Sequence, residues 1–178
     1  MVVEKVLTSD FFSLFDLPRT FTVDQTVLDT RYRELQAQVH PDKFAQAVDT
    51  QKRLSMQWAT RANEAYQTLK SPLQRATYLL KLADFDVGAE SNTAMPAAFL
   101  MEQMEWREAV MDAKAGKDVA ALEKIDELLQ TEITARFTSI GQLLDQSDWA
   151  KAAEQVRCQM FLEKLRHDLA DTIDELED

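Results

Sequence analysis

The sequence contains very little cysteine, glycine or proline, and each scarcity excludes certain structures. Cys158 is the single cysteine among 178 residues, which rules out an intrachain disulfide and makes a cysteine-built metal site implausible. It falls within an apparent helical run, residues 148–176, where we interpret it as a small packing residue. Only three glycines and four prolines interrupt the chain. The composition therefore predicts an almost wholly helical protein.

The sequence also lacks a long apolar run and an excess of positive charge. No apolar stretch approaches the roughly 20 residues that span a bilayer, and residues 1–12 show neither a signal-peptide pattern nor a transit-peptide composition. We therefore expect a cytoplasmic protein with no membrane partner. The chain has 20 basic and 31 acidic residues, so we expect no nucleic-acid partner, because phosphate binding needs clustered Lys and Arg.

The acidic excess is confined to one half of the chain. Residues 1–86 contain 11 basic and 11 acidic residues, whereas residues 87–178 contain 9 and 20. Such an asymmetry predicts two units with different partners. Turn-forming residues are concentrated in "ADFDVGAESNTAMP", residues 83–96. We therefore predict a first domain at 1–82, a linker at 83–96 and an acidic helical bundle at 97–178.

Capping residues and apolar spacing predict four helices in the first half. Ser9 is a candidate N-cap for a short helix that stops before Pro18, and Asp24 is a candidate N-cap for the second helix. "KSP" at residues 70–72 ends the third helix, and "LQRATYLLKL" forms the fourth. The second and third helices have apolar residues at intervals of three and four, the spacing of a core-facing stripe: Leu28, Tyr32, Leu35 and Val39, then Met56, Ala59, Ala62, Tyr66 and Leu69.

The second half is predicted to contain three long amphipathic helices, near residues 97–115, 118–144 and 148–176. Gly116 and "DQSD" at 145–148 are the breaks between them. Connections this short favour antiparallel neighbours. Nothing in the pattern predicts a strand, so the predicted fold class is all-α, with a helical hairpin followed by an antiparallel three-helix bundle.

The tripeptide HPD, residues 40–42, stands where the second predicted helix stops. Proline lacks a backbone donor and disfavours helical geometry before it, so His40 is expected to end the helix and Pro41 to begin a loop. A catalytic dyad would need a nucleophile, and no serine or cysteine has that context. A metal site is implausible with only two histidines, His40 and His167. A plain helix stop and a docking signal remain open.

The segments around this tripeptide resemble a known family. A short helix with "FFSLFDLP", a helix ending in "RYRELQAQVHPDKF" and a return helix followed by "SPLQRATYLL" resemble a J-domain. The acidic bundle opens with "AFLMEQMEWREAV" and contains "VRCQMFLEKL", in place of the cysteine-rich extension of general J-proteins. Nearly the whole chain resembles the bacterial form of the HscB family, the J-domain co-chaperones of iron–sulfur cluster assembly.

The resemblance implies that the tripeptide docks on a DnaK-family chaperone of the HscA type and speeds its ATP hydrolysis. Asp42 offers an acceptor for a charge-assisted bond to an arginine of the partner. Pro41 fixes the loop, so less entropy is lost on docking. Asp29 and Glu34 dilute the positive charge of the second helix. The matching chaperone-binding residues are His40, Pro41, Asp42, Lys43, Arg33 and Arg31; for the two arginines, solvated surface charge is the alternative.

The helix near residues 97–115 has too many apolar residues for a single face. At about 100° per residue, Phe99, Gln103, Trp106, Val110 and Ala113 cluster on one side, which we interpret as the core side. Leu100, Met104 and Met111 cluster elsewhere with Met101 beyond them; we call these four residues the apolar strip. Glu105, Glu108 and Asp112 lie on the same half of the helix. A methionine-rich strip bordered by carboxylates is typical of an adaptable protein-binding surface, and a helix buried on two sides is the alternative.

The resemblance implies that this surface binds the IscU scaffold, and that it includes a residue of the last helix. The matching scaffold-binding residues are Leu100, Met101, Met104, Glu105, Glu108, Asp112 and Phe161; an ordinary core position is the alternative for Phe161. We predict a co-chaperone that delivers IscU to its chaperone and has no catalytic residue, cofactor or metal. A J-protein of the same shape with a different client is the alternative function, and an enzyme is the remotest one.

Overall fold

The computed structural model describes residues 9–39, 48–88 and 95–177. Within these ranges the chain forms seven helices and no strand, which confirms the predicted all-α class. In chain order, the helices are α1 Phe11–Leu14, α2 Gln25–Val39, α3 Asp49–Lys70, α4 Pro72–Leu82, α5 Ala97–Ala115, α6 Val119–Asp145 and α7 Trp149–Glu177. None of the helices in the described ranges is long and apolar enough to cross a membrane.

The chain divides into two compact units, Met1–Leu79 and Leu80–Asp178. The division falls within α4, a few residues before the linker expected from composition. Part of that linker, residues 89–94, lies outside the described residues. The limits 1–82, 83–96 and 97–178 stay a prediction.

Short polar side chains cap the first two helices. The cap of α1 is Asp10, because its Oδ1 accepts hydrogen bonds from the backbone N–H groups of Phe12 and Ser13 at 3.1 Å each. The prediction of Ser9 was therefore wrong by one residue. Asp24 was predicted correctly for α2, since its Oδ1 accepts from Thr26 and Val27 at 2.8 and 3.1 Å.

The first unit has its core between α1, α2 and α3. The predicted stripe of α2 is confirmed at Leu28, Leu35 and Val39, which are all buried. In α3 the buried stripe is rotated by about one residue from the prediction. Met56 is 60% exposed, so its assignment to the core was wrong. The buried residues of α3 are Ser55, Trp58, Ala62, Ala65 and Leu69.

The burial of Trp58 explains why the buried stripe of α3 is rotated. Trp58 is 4% exposed and offers more apolar surface than Met56, so the helix turns to bury the indole. Ser55 then points inward, and its hydroxyl donates to the carbonyl of Lys52 at 2.8 Å, which satisfies the buried polar group within the helix.

The second unit has the predicted antiparallel bundle of α5, α6 and α7. Arg166 of α7 pairs with Asp126 of α6 at 2.8 Å. Nearer the other end of the pair, Gln155 accepts from Arg136 at 3.3 Å, so the two helices run in opposite directions. Their core includes Leu122, Leu129, Ile133, Cys158, Leu162 and Leu169. The interpretation of Cys158 as a packing residue is confirmed, since it is fully buried.

Candidate protein-binding surfaces

The predicted chaperone-binding residues of the HPD segment, 40–43, lie outside the described residues. The described part of that site is the exposed side of α2, which contains Arg31 and Arg33. Arg31 lies 3.4 Å from Glu34, and the two side chains are 47% and 56% exposed. An exposed pair of this kind contributes about 0.2–1 kcal/mol. Both arginines are thus available to an external partner.

Asp29, which was expected to dilute the charge of α2, points toward α3. The hydroxyl of Tyr66 donates to its Oδ1 at 2.9 Å, and the Lys70 ammonium donates to the Tyr66 oxygen at 3.1 Å. That hydrogen bond from Lys70 to Tyr66 raises the pKa of the lysine. Asp29 therefore belongs to a polar chain between the two helices. Glu34 is the acidic residue that offsets positive charge on the exposed side.

The apolar strip of α5 is exposed along its whole length. Leu100 is 46% exposed and Met101 66%, while Met104 and Met111 are each 70% exposed. Of the described residues in α5, only Phe99 and Ala113 are buried, so the alternative of a helix buried on two sides was wrong. Glu105, Glu108 and Asp112 are also exposed. The structure therefore brings the predicted carboxylates beside the predicted apolar residues on a solvent-facing surface.

A polar network also attaches α5 to the rest of its unit. Arg136 of α6 donates to both carboxylate oxygens of Glu102 in α5, at 3.0 and 2.8 Å. Its guanidinium carbon lies 4.9 Å from the ring centroid of Phe99. It also lies 2.8 Å from Glu132 as an ion pair and donates to Gln155 of α7. One side chain thus bonds to all three helices of the bundle.

Phe161 of α7 joins the core to the surface. It is half-buried, and its ring meets Phe99 edge-on with centroids 5.9 Å apart. On α5, the guanidinium carbon of Arg107 lies 5.0 Å from the Phe161 centroid. One part of the Phe161 side chain is packed in the core, as in the core alternative, and the accessible part is available for the predicted scaffold binding. Sequence reasoning missed Arg107, although its place beside Leu100 in the helical projection was a usable signal.

Outside these two surfaces, the side chains that could be reactive or bind a metal ion have ordinary surroundings. Burial raises the pKa of the Cys158 thiol, which lowers its thiolate fraction. His167 is on the surface, with its Nε2 3.8 Å from Asp171. Among the residues that the structure describes, no three His, Cys, Asp or Glu side chains are grouped closely enough to hold a metal ion.

The described residues form a two-unit, all-helical protein with an exposed apolar strip on its second unit. Residues 95–170 match the family described as the HSCB C-terminal oligomerisation domain. The co-chaperone protein HscB homolog of Paraburkholderia xenovorans is 54% identical over 171 residues, covering 96% of this chain and 98% of that protein. Among solved structures, the chaperone HscB from Vibrio cholerae is 36% identical with a TM-score of 0.83, covering 94% of this chain and 99% of the other.

The human co-chaperone protein HscB is also similar, at 32% identity and a TM-score of 0.86, covering 92% of this chain and 81% of the human one. The chain therefore belongs to the HscB family of J-type co-chaperones of iron–sulfur cluster assembly. The family resemblance that was inferred from its motifs is confirmed.

Proposed function

We propose that the protein docks on a DnaK-family chaperone of the HscA type, stimulates its ATPase and delivers to it an IscU-type scaffold. Membership of the HscB family supports the general role. The observation that supports the delivery step best is the exposed apolar strip of α5, with Leu100, Met101 and Met104 at its centre. The residues for chaperone docking and those for scaffold binding lie in different units, so each function can be removed by mutation without the other.

On the chaperone side, we propose that the HPD segment and the exposed side of α2 act together. Asp42 accepts a charge-assisted hydrogen bond from a partner arginine, and Lys43 adds positive charge beside it. His40 donates a hydrogen bond to backbone or partner groups, and Pro41 reduces the entropy that is lost on docking. Arg33 and Arg31 extend the basic surface along α2, and the position of Asp29 supports this, because its carboxylate accepts a hydrogen bond from Tyr66 of α3.

On the scaffold side, we propose an apolar contact bordered by charge. Leu100, Met101 and Met104 make the contact together with the accessible part of Phe161. Burying a fully exposed Leu or Met side chain yields about 1.5–3 kcal/mol, so these residues supply the main apolar contribution to binding. The exposed carboxylates of Glu105, Glu108 and Asp112 favour a scaffold with basic groups opposite them, and charges at such a rim act mainly on the association rate and its salt dependence.

The same proposal excludes other roles. The protein acts in the cytoplasm as a non-enzymatic adaptor, without a cofactor, and has neither nucleic acid nor membrane as a partner. The acidic second unit supports the exclusion of nucleic acid, because the phosphates repel a unit with 20 acidic and 9 basic residues in 87–178. A J-type co-chaperone with a different client is the second candidate.

The proposal is tested by the ATPase rate of an HscA-type chaperone, measured with this protein, with IscU and with both. We expect stimulation by this protein alone and a further rise when IscU is added. Stimulation without any binding of IscU in calorimetry would favour the second candidate, a different client. No stimulation in any mixture would contradict the chaperone role.

A further inference from the structure

Three of the four residues of the apolar strip are methionines. Met101 is 66% exposed, and Met104 and Met111 are each 70% exposed, whereas Leu100 is 46% exposed. Their side chains are therefore open to water and to small molecules dissolved in it. Unlike the leucine, each methionine has a thioether sulfur that an oxidant can convert to a sulfoxide.

The other methionines that the structure describes have different surroundings. Met95 packs against the core of the second unit, and its sulfur accepts a hydrogen bond from Gln103 Nε2 at 3.0 Å. Met160 of α7 is partly buried. Met56 of α3 is exposed, but it belongs to the first unit. An oxidant in solution therefore reaches the strip before it reaches the other described methionines of the second unit.

The strip methionines are separate from the packing that holds the second unit together. In the described part of the chain, α5 contributes Phe99, Trp106, Val110 and Ala113 to the packed core of that unit. The strip methionines lie outside this set and face solvent. A chemical change at their sulfur atoms therefore alters the surface of α5 and leaves its core contacts in place.

Hydrogen peroxide transfers one oxygen atom to a thioether. A sulfur lone pair attacks the peroxide, the O–O bond breaks, and the products are methionine sulfoxide and water; the sulfur loses two electrons and the peroxide gains them. The sulfoxide is polar, whereas the thioether packs as a flexible apolar group. Burying a polar group against an apolar partner without a new hydrogen bond costs free energy. Oxidation thus removes the apolar character on which binding at the strip depends.

We propose that Met101, Met104 and Met111 are oxidation sites, and that their conversion to sulfoxides by a peroxide weakens scaffold binding. The inference rests on the proposed function. The change is reversible, because methionine sulfoxide reductases, with a dithiol as the electron donor, remove the oxygen as water. The proposed chaperone-binding residues include no methionine, so the oxidised protein still stimulates the chaperone but no longer delivers the scaffold.

The test is calorimetric binding of IscU to the full-length protein before and after treatment with hydrogen peroxide. Catalase removes the peroxide before IscU is added, so only this protein is oxidised. Peptide mass spectrometry identifies the methionines that have gained oxygen, and thermal melts report whether the bundle stays folded.

Two variants receive the same treatment. The triple variant Met101→Leu, Met104→Leu, Met111→Leu has no thioether in the strip. Met56→Leu is the matched control, because it removes an exposed methionine of the other unit. Each protein is compared with its own untreated sample, so any effect of the substitutions on the reduced state cancels.

We expect the strip methionines and Met56 to be oxidised first, and Met95 and Met160 more slowly. The affinity of the treated wild type should fall about tenfold or more, with an unchanged melt. Met56→Leu should lose affinity as the wild type does, whereas the treated triple variant should bind as its untreated form does. Methionine sulfoxide reductases specific for the two sulfoxide epimers, supplied with dithiothreitol, should restore binding by the treated wild type.

Several results would overturn the inference, and they are distinguishable from failure of the proposed function. If the strip methionines are oxidised and the treated wild type binds IscU as tightly as before, the surface tolerates sulfoxides and the inference alone fails. It also fails alone if the triple variant loses as much affinity as the wild type, if the melt collapses, or if the reductases do not restore binding. If the untreated wild type does not bind IscU at all, the proposed function fails and the inference falls with it.

Discussion

Arg136 Nη2 donates to both carboxylate oxygens of Glu102, at 3.0 and 2.8 Å, and this ion pair joins α6 to α5. The side chains are only 14% and 31% exposed, so the pair is partly withdrawn from water. The same guanidinium lies against Phe99 and donates to Gln155 of α7. This arginine therefore adds to the apolar packing of Phe99, Trp106 and Val110 in orienting the helix that presents the apolar strip.

Replacing Arg136 by Met should lower the free energy of unfolding of the second unit by about 2–4 kcal/mol. The substitution removes the hydrogen bonds and leaves Glu102 partly buried without its partner, and an uncompensated charge is more costly than the pair was worth. Arg136→Lys keeps the charge and should lose less. Urea unfolding followed by circular dichroism measures both variants. Equal midpoints for Arg136→Met and the wild type would show that the network is energetically neutral.

The thiol of Cys158 should react slowly in the folded protein. It is fully buried in the bundle core, and burial raises its pKa, so both access and thiolate fraction are low. We expect alkylation at pH 8 to be slower by at least about two orders of magnitude in buffer than in concentrated urea, since it requires opening of the bundle. Mass spectrometry of timed samples provides the rates. Similar rates in the two solvents would contradict the packed environment.

The substitution Asp42→Asn should abolish stimulation of the chaperone ATPase while helicity and melting temperature stay near the wild-type values. A carboxylate after a helix end that serves an external arginine loses its charge in this variant but keeps its size. Binding of IscU should be unchanged, because the scaffold surface belongs to the other unit. Loss of folding together with loss of stimulation would show that the tripeptide is structural.

The sequence predicts the helices of the second unit well because their boundaries depend on local chemistry. Gly116 and the polar segment 145–148 interrupt long amphipathic patterns, and the observed helices begin and end within about a residue of the predicted positions. The core side of α5 also follows from spacing alone, since Phe99 and Ala113 are buried while Leu100 and Met104 are exposed.

The features that the sequence did not predict are of two kinds. Some depend on a choice between neighbouring residues that fit the pattern equally well, and others depend on residues far apart in the chain. Ser9 and Asp10 are both good caps, and the choice between them is made by geometry around α1. Met56 fits a helical stripe as well as its neighbours do, but Trp58 determines which side is buried. The bond of Asp29 to Tyr66 joins residues 37 positions apart, which periodicity cannot reveal.

Phe161 shows how the two kinds of role combine in one side chain. Its contact with Phe99 stabilises the bundle, so Phe161→Ala should lower the melting temperature as well as weaken scaffold binding. Leu100 and Met104 have large exposed fractions, so their truncation should affect binding alone. A test of the scaffold surface that avoids effects on folding therefore uses these two residues.

The decisive measurement is calorimetric titration of IscU into the Leu100→Ala, Met104→Ala double variant, with a thermal melt of the same sample. Leu128→Ala is the control, because Leu128 is 51% exposed on α6 and lies outside the strip. We expect the double variant to lose about 2 kcal/mol or more of binding free energy, as apolar hot spots do, with melting and ATPase stimulation unchanged, and the control to bind normally. Normal binding by the double variant, or loss of binding together with a collapsed melt, would contradict the assignment of the strip as the scaffold site.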